Sequence, residues 1–179
     1  MRYVALLRGI NVGGKNKVPM AELKRVFESV GHADVRTYIN SGNVIFDAPR
    51  AKTVVLAGNL EAEIAREFGF ALRVLVLRGS AVTRIAEDLP DEWIQDERSS
   101  CNVLYLLPER VSPKVLEEFD LNPEHEEMRY SNGAILSRVD RSYLNRSAFH
   151  KMAGTELYKH VTVRNANTAR RLAALVDEP

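Results

Sequence analysis

Cysteine is nearly absent from this sequence: Cys101 stands alone among 179 residues. An intrachain disulfide is excluded, and a reducing, cytoplasmic compartment is the simplest expectation. Long apolar runs are missing too. None approaches the ~20 residues that span a bilayer. The apolar run in MRYVALLRGINVGG is too short for a signal peptide, and no small-residue cleavage site follows it. No membrane partner is expected. The four histidines, His32, His125, His150 and His160, form no HExxH and no paired metal spacing, so no metal or other cofactor is expected. A nucleophile elbow and a Ser-His-Asp order are also lacking. Nor is there an RNP1-type run of basic, glycine and aromatic residues. Tyr3 and Phe46, the aromatics a base-stacking sheet would use, sit in strongly apolar strands and are read as core.

What is present is an ordinary globular composition, 45% apolar and 27% charged, enough to build a real core. The formal net charge of +1 hides an uneven distribution. Residues 85–127 hold thirteen acidic and three basic residues. Between 141 and 171, Arg141, Arg146, Lys151, Lys159, Arg164, Arg170 and Arg171 face Glu156 alone. Such asymmetry fits an anion-facing surface, or solvated helix faces paired with the acidic stretch.

Hydrophobic periodicity sets the element order. RYVALLR, 2–8, reads as a central strand, and Pro19 opens a helix that Gly31 can end. DVRTYINSGNVIFDA reads as a hairpin turning at Ser41-Gly42, which pairs Ile39 with Val44 and Thr37 with Phe46. A helix follows at about 52–68, then a strand at 71–78. This β-α-β-β-α-β order is the split βαβ, ferredoxin-like pattern. It begins again with the strand CNVLYLLPE, a short helix after Ser112-Pro113, and a hairpin at Asn132-Gly133. Helices near 142–152 and 164–176 complete it. The expected fold class is α+β: two ferredoxin-like lobes with mainly antiparallel sheets, at 1–79 and 101–179. A helical, acidic connector at 80–100 joins them, and its residues 88–100 are expected to be exposed and mobile, with Trp93 the one residue able to pin them.

YVALLRGINVGGKNKVPMAELK, VRTYINSGNVIF and the late VTVRNANT resemble the bacterial domain of unknown function 1697 family (DUF1697) over essentially the whole chain. The resemblance implies two ferredoxin-like subdomains related by duplication. It brings no established catalytic residues.

The stretch GINVGGKN, 9–16, matches a phosphate-binding loop through Lys15, but Asn16 replaces the Mg²⁺-holding hydroxyl and Pro19 delays the helix. A nucleotide triphosphatase is not expected. A backbone anion nest with lysines beside it remains, and a plain connection whose glycines relieve strain competes with it. The candidate ligand-binding residues are Arg8, Asn11, Gly13, Gly14, Lys15, Lys17, Arg36 and Arg164. Arg36 is expected to approach Arg8, Lys15 and Lys17, with Ser41-Gly42 at the opposite edge. The expected function is binding of a phosphate-bearing ligand, nucleotide or nucleic acid, through this loop and the basic C-terminal segment. Two alternatives stand beside it. One is an enzyme acting on a phosphorylated or carboxylated small molecule, with His150 as base near Ser142 or Tyr143. The other is a protein-interaction module. Cys101 reads as a buried, inert thiol.

Overall fold

The computed structural model describes residues 1–14 and 16–178. The chain divides into two compact units: Met1–Val82 together with the stretch from Ala174, and Thr83–Ala173. Most of the segment expected as a free connector thus belongs to the second unit.

The first unit runs β1 (Arg2–Leu7), α1 (Met20–Ser29), β2 (Ala33–Tyr38), β3 (Asn43–Asp47), α2 (Thr53–Phe68) and β4 (Val74–Arg78). Its sheet has the order β2-β3-β1-β4, with every neighbouring pair antiparallel. Alternation along β1 turns Tyr3, Ala5 and Leu7 toward a cluster that also takes Phe27 of α1 and Leu60 and Ile64 of α2. Burying each such side chain contributes about 1.5–3 kcal/mol. Tyr3 and Phe46 stack in this core at 5.7 Å, and Phe27 meets Phe46 edge-on at 5.2 Å. Gly69, in the left-handed conformation at φ 76°, ends α2 by donating its N–H to the Ala65 carbonyl.

His32 belongs to the same core. Its ring stacks on Phe46 at 4.6 Å, and its buried Nε2 has no hydrogen-bond partner among the described residues. Burial disfavours the charged form and holds its pKa below the ordinary 6.5. The unfolded chain therefore takes up a proton first as pH falls. The stability His32 contributes is fully present above pH 6.5 and declines as pH drops from there toward the folded value. We expect the urea midpoint of the parent to fall between pH 7 and pH 5 by more than that of His32→Phe, which keeps the stack and cannot titrate. Parallel midpoint curves for the two proteins would refute this.

The second unit repeats the sheet. The strands β5 (Ser99–Leu106), β6 (Glu126–Ser131), β7 (Ala134–Asp140) and β8 (Val161–Asn165) take the order β6-β7-β5-β8, again fully antiparallel. The fold is α+β with two four-stranded antiparallel sheets. The helix α3 (Gly79–Glu87) precedes β5, and α5 (Ala166–Asp177) follows β8.

Several local expectations need correction. The last helix was expected from about 164, but Val161–Asn165 forms a strand. Asn165 then caps α5, its Oδ1 accepting from Thr168 N at 2.8 Å. The helix expected near 142–152 is broken. Ser147 Oγ donates to Leu144 O at 2.6 Å and accepts from His150 N at 3.1 Å, leaving a 3₁₀ turn at Arg141–Arg146 and a four-residue α4 (Ala148–Lys151). The helix after Ser112 is a 3₁₀ turn, Pro113–Glu118. The first hairpin turns over four residues, because Tyr38 pairs with Asn43 and Thr37 with Val44. Ile39 and Gly42 both take positive φ there, 49° and 74°. The slip is two residues, so Arg36, Thr37 and Tyr38 keep their expected faces while Ile39 and Asn40 pass into the turn.

The segment from 88 to 100 is mostly exposed, yet it is fixed to its own unit. Trp93 is 2% exposed. Arg170 donates to the carbonyls of Pro90 at 2.7 Å and Trp93 at 3.0 Å, and the Arg129 guanidinium lies 5.1 Å from the Trp93 ring centroid.

Candidate functional site

The loop after β1 folds around Asn11. Its side-chain amide donates to Val18 O at 3.0 Å and Asn40 O at 2.8 Å, and its Oδ1 accepts from Val18 N at 2.9 Å. Asn11 thereby staples both ends of the loop to each other and to the first hairpin. Asn16 adds a bond from Nδ2 to Gly9 O at 3.1 Å, and Asn11 N donates to Asn16 O at 3.1 Å. Gly9, Asn11, Gly13, Gly14 and Asn16 all have positive φ, between 49° and 75°. Gly9, Gly13 and Gly14 are exposed, and without a Cβ they leave the loop backbone accessible. Lys15 lies outside the described residues. Lys17 is exposed.

Two expectations about this end of the sheet reverse. Leu7 N donates to Gly42 O at 2.8 Å, so the hairpin tip joins the loop instead of lying at the opposite edge. Arg36 sits away from it: its guanidinium binds Asp34, at 3.1 Å, which also holds Arg2 at the start of β1. The reason is strand direction. β3 runs antiparallel to both β1 and β2, so β2 ends, and does not begin, where β1 ends.

The strand pairing brings a further arginine to this end of the sheet. Leu7 pairs with Val74, and the bond from Arg8 N to Arg73 O at 3.0 Å carries the β1–β4 ladder one step further. Arg8 and Arg73 are therefore direct cross-strand neighbours, and like charges in that relation repel. Glu61 of α2 answers part of this charge, with Oε1 3.5 Å from Arg73 Nε and accepting from Val74 N at 2.8 Å. Arg8, Asn16, Glu61, Arg73 and Gly58 line an open cleft of about 600 Å³, within the usual size range of ligand sites. Gly58 sits inside α2, where glycine costs about 1 kcal/mol relative to alanine, and a Cβ there would meet nothing within 4 Å. Packing does not require this glycine. The signal for it, an isolated glycine in a helical pattern, was legible; Arg73 needed the register.

Arg141, Arg146, Lys151, Lys159 and Arg171 of the basic C-terminal segment are exposed, but Arg164 and Arg170 are drawn into the fold. Arg164 is 7% exposed on β8 and donates to Thr162 Oγ1 at 2.9 Å and Val163 O at 2.8 Å. Burial lowers its pKa to about 10, against the favourable pull of Tyr105. Arg141 donates to Asp96 O at 2.7 Å, and Lys159 pairs with Glu156 at 2.7 Å. Tyr143, expected near His150, instead stacks on His125 at 4.6 Å, and Arg146 lies 4.8 Å from its ring centroid. Cys101 is buried, and burial pushes its thiol up. Among the described residues, no cluster of histidine, cysteine and carboxylate side chains could hold a metal ion. Among them, no helix is long and apolar enough to cross a membrane.

The geometry can be set beside known proteins. A family described as protein of unknown function (DUF1697) matches residues 1–136. The solved structure of a conserved bacterial protein from Streptococcus pneumoniae is similar, with a TM-score of 0.82 and 31% identity, over 98% of each chain. No curated protein matches.

Proposed function

The chain belongs to the DUF1697 family, and from that footing we propose that it binds a phosphate-bearing small molecule in the cleft between the glycine loop, α2 and the start of β4. The observation that carries this reading is the pairing of Arg8 with Arg73 across the ladder. Arginines on adjacent strand positions repel, and an anion bound in the cleft that both line offsets that repulsion. The exposed, left-handed backbone of the adjoining loop adds N–H donors of the kind that form anion nests. A nucleic-acid strand fits less well, because Arg141, Arg164 and Arg170 each donate to a backbone carbonyl. The reading treats both lobes as ferredoxin-like, on the strand order their sheets share. It treats the compartment as cytoplasmic, on the single buried cysteine.

Calorimetric titration of the parent and Arg73→Gln with inorganic phosphate and pyrophosphate tests the reading. A charge-assisted hydrogen bond contributes about 1.5–3 kcal/mol, so the variant is expected to bind at least tenfold more weakly. Silence from the parent, or equal affinity in the variant, rejects the proposal.

A further inference from the structure

Resting on that reading, we infer that the ligand of the first-lobe cleft is a phosphorylated sugar or polyol rather than a nucleotide or a polyphosphate. Five features of the lining point to it. The arginine pair supplies a site for one phosphate. Beside it stands a fixed carboxylate, Glu61, whose Oε1 is held by Val74 N and Arg73. A carboxylate repels a second phosphate but accepts hydrogen bonds from hydroxyl groups. Asn16 lies in the same lining with its Nδ2 on Gly9 O, which leaves its carbonyl as a further acceptor. A carboxylate and an amide oxygen next to a phosphate site suit the vicinal hydroxyls of a sugar.

The described lining also lacks an aromatic side chain, and Leu72 is its largest apolar member. A nucleobase would find no ring on which to stack. Finally, Gly58 leaves the α2 backbone bare toward the cleft, with open space where a side chain would project. Glycine in that position permits close approach of a ring to the helix backbone.

The experiment is calorimetric titration of the full chain with ribose 5-phosphate, glycerol 3-phosphate, inorganic phosphate, ribose and AMP. At least one of the two phosphorylated polyols is expected to bind tenfold or more tightly than inorganic phosphate, and AMP no more tightly than ribose 5-phosphate. Gly58→Leu fills the open space and is expected to weaken polyol-phosphate binding at least tenfold. Gly58→Ala, which keeps the helix intact whatever the fate of the leucine variant, is expected to bind several-fold more weakly while unfolding at higher denaturant. If inorganic phosphate binds as tightly as the sugar phosphates, the polyol inference falls and the phosphate site stands. If AMP binds tenfold more tightly than ribose 5-phosphate, the ligand is a nucleotide and the inference is overturned. Unchanged affinity in both Gly58 variants removes the ring from the face of α2 and overturns it as well. Absence of binding by every compound defeats this inference and the site together.

Discussion

Gly42→Ala is expected to destabilise the first lobe by roughly 2–5 kcal/mol, the sum of a backbone and a packing effect. Gly42 has φ 74°, and a Cβ there would lie 2.7 Å from Leu7 Cβ and 2.8 Å from Ile10 Cδ1. Both neighbours are buried, Leu7 at 1% and Ile10 at 2% exposure, so neither can swing into solvent. The left-handed backbone alone accounts for about 1–2 kcal/mol; overpacking adds a further ~1–3 kcal/mol. Gly31 supplies the control. It has φ 86°, but a Cβ would meet nothing within 4 Å. Gly31→Ala is therefore expected to show the backbone effect alone. Urea unfolding followed by circular dichroism measures both. Equal losses in the two variants would mean that the hairpin tip does not press against the end of β1.

Trp93→Ala should cost the second lobe about 3–5 kcal/mol, the usual range for emptying the space of a buried aromatic. Its ring is 2% exposed and takes the Arg129 guanidinium over one face. Its carbonyl is one of the two that fix Arg170. Ile94, the next residue, is 48% exposed, and Ile94→Ala is expected to stay within about 0.5 kcal/mol of the parent. Comparing the urea midpoints of the two variants separates a packed anchor from a surface segment. A loss below about 1 kcal/mol for Trp93→Ala would contradict the packing described above.

The parts of the fold that were legible are those governed by local pattern. The β1 run, the α1 and α2 stripes and the Asn132-Gly133 hairpin follow from periodicity and turn chemistry, because burial rewards the same spacing that the sequence displays. Errors arose where a side chain competed with the backbone or where geometry was non-local. Ser147 cuts a helix that its apolar neighbours support. The alternating V-T-V of β8 is too short to stand out as a strand beside the helix that follows, although Asn165 marks the boundary between them. The hairpin register depended on Ile39 entering the left-handed region, a conformation that β-branched residues avoid and that no sequence pattern signals.

The candidate site divides in the same way. Arg8 and the exposed glycines could be read from the loop itself. Asn11 was read as a ligand group, yet its amide is engaged with Val18 and Asn40. Arg36 lies away from the loop because β1 and β2 both run antiparallel to β3, which carries the start of β2 to the far end of the sheet. Arg73 and Glu61 came into view only with the β1–β4 pairing, since 65 positions of sequence separate Arg8 from its cross-strand neighbour.

The solitary thiol of Cys101 makes the second lobe its own stopwatch. β5 is bonded on one side to β7 and on the other to β8, and Cys101 lies on it fully buried. Side chains of a strand stand on the faces of its sheet, so an alkylating reagent reaches the sulfur only when the packing over that face opens. Burial also keeps the closed-state thiol protonated and poorly nucleophilic. The labelling rate at fixed reagent concentration therefore reports how often the packing over Cys101 opens, and the first lobe, without a cysteine, contributes no signal. Each such event is also one-way. An adduct on Cys101 no longer fits the fully buried place of the thiol, so alkylating conditions hold the opened lobe from closing as before.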